Sequence, residues 1–317
     1  MNYAKLVAIA CGMLFVLPRA PAQEGAARPG LGAPLEVLVL GSGGPAALGR
    51  ASSSYVVLLD GEPRILVDAG PGSFARIGEA HLSLDALEIV LLTHLHVDHA
   101  AELPGLVKAR AVSASGPIHF DVFGPAGRRA QTGSAAFPST SQFIGLLFGA
   151  NGAFAYLKDF SAPVSFNVTN LPVSGAEAGG LRTLVRREDL RISSTAGHHD
   201  DAPAIIYRIE FKGRSVVFSG DIDSHGLPAL EKIAHGANLL VFDAVVLDPP
   251  GSPEVLYSLH TPPGAIGALA QRAQVGAMLL SHLSPAVEAR SSQVKASIAT
   301  HYPGPVTWAT DGMRIRP

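Results

Sequence analysis

Residues 93–99 constrain this chain more than any other segment, because they place three histidines and one aspartate on a single turn. An apolar run, residues 87–92, comes directly before the turn and predicts a buried strand that ends near His94. In an H-x-H-x-D-H pattern, alternate side chains can face one metal ion while the next Asp-His pair faces a second ion. If these imidazoles were close together only because they pack in the core, their polar nitrogens would lack hydrogen-bond partners. The sequence therefore predicts a metal site at the end of this strand.

Strand-like segments recur along the whole chain, and several end in a polar residue. Apolar residues make up 47% of the chain and charged residues 16%, which indicates a folded protein and excludes a disordered one. Two β-rich sections, each followed by helices, predict an α/β fold in which two stacked sheets lie between helices, an αββα sandwich. The predicted strands are residues 35–40, 55–59, 64–67, 87–92, 190–195, 204–211, 216–218 and 278–280.

The first 22 residues are typical of an export signal. Lys5 precedes an apolar stretch at residues 6–17, and Ala20-Pro21-Ala22 has the pattern of a cleavage site. The stretch is too short to span a bilayer, so we expect a periplasmic or secreted protein without a stable membrane anchor. Lipidation at Cys11 is the alternative. Residues 23–34 predict a flexible lead-in, and residues 35–317 a single folded domain with an insertion around residues 126–188.

Removal of residues 1–22 would leave a chain that contains no cysteine and carries a net negative charge. Lys5 and Arg19 are the only charged residues in that segment, so 22 basic and 26 acidic residues remain. This charge balance lacks the basic footprint typical of nucleic-acid-binding proteins.

The second half of the chain supplies further candidate ligands, again at the ends of predicted strands. His198 and His199 follow one strand, Asp221 follows the next, and His282 follows a later one. Side chains alternate along extended backbone, so we expect one histidine of the pair to face the metal and the other to point away. Strand ends that each deliver one ligand can build a shared cleft.

In this order the motifs resemble the metallo-β-lactamase superfamily of metallohydrolases. The resemblance implies two zinc ions, although a mixed set of histidines and carboxylates also accepts iron or manganese. It favours His199 over His198, because residues 199–207 are similar to the family stretch in which a histidine precedes Pro-Ala and Tyr-Arg. Members often dimerise, so a homodimer is compatible with it. The matching segments are residues 38–45, 66–70, 93–99, 198–199, 219–221 and 281–283. The implied ligands are His94, His96 and His199 for one ion, Asp98, His99 and His282 for the other, and Asp221 as the bridge.

Within the superfamily, residues 207–221 and 260–263 resemble the branch that contains ribonuclease Z and arylsulfatase-like hydrolases. This resemblance implies a phosphodiesterase-like hydrolase in which a metal-bridging hydroxide attacks an ester, with Asp98 orienting it or accepting its proton. His260, supported by Asp243, would protonate or stabilise the leaving oxygen. The alternative for His260 is that it caps a helix beginning near Pro262.

Two features favour a small-molecule phosphodiester or sulfate ester and argue against a nucleic-acid partner. Ribonuclease Z carries a projecting substrate arm between the later metal-ligand motifs, but His199 and Asp221 are only 22 positions apart. The negative net charge of the chain points the same way. A lactamase or thioesterase-type metallohydrolase and a non-catalytic metal-binding protein are the alternatives. Aromatic residues at 141–160 predict either a lid over the cleft or ordinary core packing.

Overall fold

The computed structural model describes residues 33–317 except residues 47, 131–135, 176–177 and 201. The predicted signal peptide lies outside the described residues, as does the predicted lead-in apart from Ala33 and Pro34. Among the residues described, no helix combines the length and apolar character needed to cross a membrane.

Within the described residues, fourteen strands form two mixed sheets of seven strands each. The first sheet pairs antiparallel strands at one side and parallel strands, from β3 to β6, at the other. In spatial order it contains β14 (Arg314–Ile315), β1 (Leu35–Gly41), β2 (Ser54–Leu59), β3 (Glu62–Val67), β4 (Ile89–Leu91), β5 (Ile118–Pro125) and β6 (Val164–Leu171).

The second sheet repeats this mixture with strands from the other half of the chain. Its strands are parallel from β10 to β13 and antiparallel from β7 to β10. In spatial order it contains β13 (Val306–Trp308), β12 (Ala277–Ser281), β11 (Leu239–Asp243), β10 (Arg214–Phe218), β9 (Ile205–Phe211), β8 (Leu190–Ala196) and β7 (Arg182–Arg187).

Helices follow the strands of each half. They are α1 (Ser73–Glu79), α2 (Val97–Ala100), α3 (Leu103–Ser113), α4 (Thr140–Phe148), α5 (Leu227–Ala234), α6 (Pro263–Arg272), α7 (Pro285–Ala289) and α8 (Ser291–Ala299), with 3-10 helices at Ala155–Asp159 and Glu254–Ser258.

Three apolar clusters separate four layers and confirm the predicted αββα sandwich. One cluster fills the space between the sheets, the second packs α5, α6 and α8 on the outer face of the second sheet, and the third packs α1, α3 and α4 on the first sheet. Strand β1 shows why both faces of a strand are apolar here. Val37 and Val39 enter the cluster between the sheets, whereas Leu38 and Leu40 face the helices. Each such fully buried side chain contributes about 1.5–3 kcal/mol through its burial.

The segment predicted as an insertion extends both sheets. It contains α4, a 3-10 helix and strand β6 at the edge of the first sheet, and it ends within β7–β8, at the edge of the second. Its aromatic residues pack mainly on the outer face of the first sheet, where Phe148 and Leu157 are fully buried. The Phe148 and Phe166 rings stack with centroids 4.7 Å apart. These contacts are those of core residues and not of a lid.

Parallel pairing brings the polar strand ends to one side of the sandwich. In the second sheet Phe218, Val241 and Leu279 are in register, so β11 and β12 end together and β10 ends two residues before them. In the first sheet, β3 and β4 finish together in the same way. Ligand sites in α/β sheets form where carboxyl ends of strands meet, and the candidate ligands follow these ends.

Candidate metal centre

The loop after β4 is held by a carboxylate from the neighbouring strand end. Asp68 follows β3, and its two carboxylate oxygens accept hydrogen bonds of 2.7 Å from the backbone N–H and the hydroxyl of Thr93. The chain then stays extended through His96, which is the N-cap of α2. Asp98 and His99 lie in the short helix α2. The change from extended to helical backbone aims the four candidate ligands of this loop toward one centre.

The first group of candidate ligands contains three histidines whose ligand atoms all lie within 4.8 Å of one another: His94, His96 and His199. His94 Nε2 is 3.1 Å from His96 Nδ1. His199 donates a hydrogen bond of 2.8 Å from Nδ1 to the carbonyl oxygen of Leu259, which orients the ring and leaves Nε2 facing the group. A backbone partner of this kind is typical of metal-binding histidines.

The second group contains Asp98, His99 and His282, with ligand atoms again within 4.8 Å of one another. His282 Nε2 lies 3.1 Å from Asp98 Oδ2, and His99 Nε2 lies 3.8 Å from the same oxygen. On its other side, His99 Nδ1 is 2.9 Å from Asp68 Oδ2. Asp68 therefore orients both the loop and one of its imidazoles.

Asp221 lies between the two groups. Its Oδ2 atom is 3.9 Å from His94 Nε2 and 3.8 Å from His199 Nε2 in the first group. In the second group it is 3.7 Å from His99 Nε2 and 3.5 Å from His282 Nε2. A carboxylate at comparable distances from both groups is placed as the resemblance implies for a bridging ligand.

Burial and charge shift the ionisation of these groups strongly in the metal-free protein. Burial alone would lower the pKa of His99, but the hydrogen bond and charge of Asp68 raise it to about 9. Burial would likewise lower the pKa of His282, yet the Asp221 charge and the Asp98 hydrogen bond raise it to about 10. Burial would raise the pKa of Asp221, but the surrounding imidazoles, His282 first, hold it well below its usual range. In the metal-free protein the cationic imidazoles of His99 and His282 thus offset the charges of the Asp98 and Asp221 carboxylates.

The residues present fit a metal centre. The Nε2 atom of His99 and the Oδ1 atom of Asp221 are buried and have no hydrogen-bond partner among the described residues. Unpaired buried polar atoms are costly, which makes them informative at a site already rich in ligands. Zinc favours imidazole nitrogen and carboxylate oxygen, so bound ions would satisfy these atoms.

A cavity of about 360 Å³ opens onto both groups of ligands. Its lining combines His96, Asp98 and Asp221 with apolar residues that include Leu256 and Leu259. His260 also faces this cavity, and its Nδ1 atom is 4.0 Å from Asp221 Oδ1. Burial lowers the pKa of His260 to about 4, so its imidazole is neutral near pH 7. Helix α6 has Pro262 as its N-cap and receives no side-chain cap, which is evidence against the capping role for His260.

The structure does not bring Asp243 and His260 together. No hydrogen bond or ion pair within 4.0 Å joins their side chains in the described part of the chain. Asp243 has the same parity along β11 as Leu239 and Val241, which both face the space between the sheets. It lines a small gap there with Tyr55. Burial raises the pKa of Asp243 to about 7.

His198 points away from the ligand groups, as alternation along extended backbone predicts for one member of the pair. Its Nδ1 atom lies 2.8 Å from Asp223 Oδ2. Sequence reasoning missed Asp223, and it also missed the orienting role of Asp68. The signal for Asp68 was available, since Asp68 directly follows the predicted strand at residues 64–67, as the 93–99 segment directly follows the strand at residues 87–92.

Comparisons with known proteins identify the family of the chain. A family profile described as a beta-lactamase superfamily domain matches residues 63–283. The ribonuclease Z of Mycobacterium marinum is 30% identical over 293 residues, which cover 89% of this chain and 98% of that protein.

Solved structures with less than 25% identity support the fold. The short form of human tRNase Z superposes with a TM-score of 0.66 at 21% identity, covering 89% of this chain and 99% of that one. The metallo-beta-lactamase fold protein YhfI from Bacillus subtilis superposes with a TM-score of 0.63 at 20% identity, with the same coverage.

Proposed function

The chain belongs to the beta-lactamase superfamily and to its ribonuclease Z branch, and on this premise we propose that it is a dinuclear zinc enzyme that cleaves phosphodiester bonds in RNA. Membership confirms the predicted family and makes the chain a metal-dependent hydrolase acting on phosphodiester bonds. The observation that carries the proposal is the pair of ligand groups around Asp221, reached by the cavity beside His260.

The prediction of a small-molecule ester substrate with no nucleic-acid partner is wrong. A relative that the chain matches over 98% of its length is named ribonuclease Z, and the solved structures that resemble the chain include a tRNase Z. The prediction relied on the negative net charge and on the absence of the substrate arm as evidence against a nucleic-acid partner. Net charge is a sum over the whole surface, whereas a substrate responds to the charges next to the site.

Basic and aromatic side chains at the rim of the site support an RNA substrate. Arg128 and Arg129 line a cleft of about 520 Å³ together with His199. The Arg128 guanidinium lies 5.5 Å from the centre of the Phe137 ring, and that ring is 5.8 Å from the ring of His96. Guanidinium groups bind phosphates, and aromatic rings stack on unpaired bases. The rim therefore offers both kinds of contact within reach of the ligand groups.

We assign His94, His96 and His199 to one zinc ion, Asp98, His99 and His282 to the other, and Asp221 to both. Zinc ions held there would supply Lewis acidity and lower the pKa of water. The chain contributes the proton acceptor, the Asp98 carboxylate, which lines the cavity where we place the substrate. In the metal-free protein burial would raise the pKa of Asp98, but the hydrogen bond from His282 and the charge of His99 lower it, so the group is ionised there. His260 is neutral and can donate a hydrogen bond to the leaving oxygen from its cavity-facing edge.

The experiment that tests the proposal compares RNA with DNA. The substrate is a labelled structured RNA with a single-stranded 3′ extension, and the DNA of the same sequence is the reference. We expect zinc-dependent cleavage of the RNA, and we expect Asp98→Asn to lower kcat by about 10²–10⁴-fold through loss of the proton acceptor. The matched control is Asp189→Asn, which changes an exposed carboxylate in the β7–β8 turn. The proposal is overturned if bis-nitrophenyl phosphate is hydrolysed but no RNA is cut.

The number and identity of the ions are tested separately by elemental analysis. We expect His96→Ala to reduce zinc binding at the first group of ligands and His282→Ala to reduce it at the second group. An unchanged zinc content in both variants would contradict the assignment.

Export remains a prediction, because residues 1–22 lie outside the described residues. We propose that they direct the enzyme across the membrane, so that it meets RNA outside the cytoplasm. Cell fractionation of the full chain, with a variant lacking residues 2–22 as the control, tests this: the full chain belongs in the periplasm or medium and the variant in the cytoplasm.

A further inference from the structure

A second cluster of potential metal ligands lies outside the centre described above. It contains His198, Asp223 and His225, whose ligand atoms all lie within 4.8 Å of one another. His198 Nδ1 is 2.8 Å from Asp223 Oδ2, and His225 Nδ1 is 3.5 Å from the same oxygen. The two imidazole rings have centroids 5.0 Å apart. Two imidazoles therefore converge on one carboxylate oxygen.

The backbone holds this arrangement in place. Asp223 is 2% exposed, and its Oδ1 atom accepts a hydrogen bond of 2.8 Å from the backbone N–H of His225. The Asp223 N–H donates to the carbonyl oxygen of His198 at 2.9 Å, which ties the two loops together. The Gly226 N–H donates to the Asp223 carbonyl oxygen and closes a tight turn. With Oδ1 engaged, Oδ2 is the oxygen that faces both imidazoles.

We propose that His198, Asp223 and His225 form an additional metal site that binds a divalent transition-metal ion, zinc foremost. Two histidines and one carboxylate are a common ligand set for such ions. Ligand atoms that bind one zinc ion at about 2.0–2.2 Å are separated by about 3–3.5 Å. The observed separations from Asp223 Oδ2 are close to this range.

Exposure makes the site accessible. The side chains of His198 and His225 are 49% and 80% exposed, so an ion can enter from solvent without movement of the core. Three protein ligands leave coordination positions open to solvent or to an oxyanion. An ordinary hydrogen bond from His198 to Asp223 accounts for one imidazole, but it does not account for the second imidazole aimed at the same oxygen.

The position of the cluster links it to the cleft. His198 is adjacent in sequence to His199, and it lines the same 520 Å³ cleft as Arg128 and Arg129. An ion bound by His198 would therefore add positive charge beside the surface where we place the RNA phosphates. Metal binding at this cluster does not depend on the proposed function, because it is measured without substrate.

The test is the zinc content of the purified protein after equilibrium dialysis over a range of free zinc concentrations. We expect the wild-type protein to bind one more equivalent than His225→Ala, with the difference appearing only after the larger centre is filled. His235→Ala is the matched control, since His235 is also exposed but lies at the end of α5 away from Asp223. Because His225 is on the surface, its replacement leaves the core intact, and an unchanged melting curve would verify this.

Cobalt absorption spectra provide a second readout. Titration with cobalt should produce visible bands at the last equivalent in the wild-type protein that are missing in both His198→Ala and His225→Ala. Equal zinc content and equal cobalt spectra in wild type and His225→Ala would overturn the proposal.

Discussion

Gly44 packs so closely on His282 that a single methyl group should disrupt the centre. A Cβ atom at Gly44 would lie 2.4 Å from His282 Cε1 and 2.7 Å from His282 Nδ1. Two hydrogen bonds hold the backbone around Gly44 in place. Ser52 donates a hydrogen bond of 3.0 Å to the Gly44 carbonyl oxygen, and Leu283 donates one of 2.9 Å to that of Ser42. In Gly44→Ala the imidazole must therefore move.

The size of the displacement follows from the contact distance. Ordinary contacts of a Cβ atom begin at 3.4 Å, so the His282 ring must shift by about 1 Å. Displacements of this size cost about 10²-fold in rate, which corresponds to about 2.7 kcal/mol. Disturbed orientation of a metal ligand also lowers metal affinity by about 10–100-fold. We expect both effects in Gly44→Ala, with the zinc loss confined to the half of the site that contains His282.

The assay measures bis-nitrophenyl phosphate hydrolysis and zinc content at a fixed free zinc concentration. Gly145→Ala is the matched control, because Gly145 lies in α4 and a Cβ atom there meets nothing within 4 Å. That variant should keep full activity and gain up to about 1 kcal/mol of stability from its better helix propensity. If Gly44→Ala retains wild-type kcat and zinc content, the tight packing on His282 has no functional consequence and the reasoning fails.

Three further predictions concern the supports of the centre. Asp68→Asn should lower zinc affinity by about 10–100-fold in a chelator competition, because His99 loses its charged partner; an unchanged affinity would show that Asp68 supports only the loop. In chelator-treated protein the pKa values of His99 and His282, about 9 and about 10, exceed the ordinary 6.5. The stability that these two protonated imidazoles add to the folded protein is fully present below pH 6.5 and is lost as pH rises through about 9 and about 10. The Tm of the metal-free protein should therefore fall toward pH 10. A Tm that does not change with pH would refute the raised pKa values. Tyr207→Phe should cost about 1–3 kcal/mol in urea unfolding, because the buried carbonyl oxygen of Leu92 loses its donor, and a loss below this range would mean that water replaces it.

Much of the centre could be predicted from local sequence. The spacing of His94, His96, Asp98 and His99 shows metal chemistry without knowledge of the fold, since neighbouring residues on a turn remain neighbours in space. Apolar runs likewise predicted most strands of the two sheets, because burial of both faces requires continuous apolar sequence.

Relationships between distant segments were less accessible. The pairing expected between Asp243 and His260 does not occur, because strand parity turns Asp243 toward the space between the sheets. The partners of His198 and His99 were also missed, although Asp223 and Asp68 are ordinary carboxylates in the sequence. Nothing local distinguishes a carboxylate that orients an imidazole from one that faces solvent.

By itself, the sequence determined the ligand types and their order, because coordination chemistry and backbone periodicity act over a few residues. Only the tertiary structure decided that His199, Asp221 and His282 meet the loop at residues 93–99. Parallel register aligns the strand ends of each sheet, and the packing of one sheet on the other brings those ends together. The tertiary structure also decided that Phe137, with the Arg128 guanidinium over its ring, lies beside His96, because folding joins segments that are far apart in the chain.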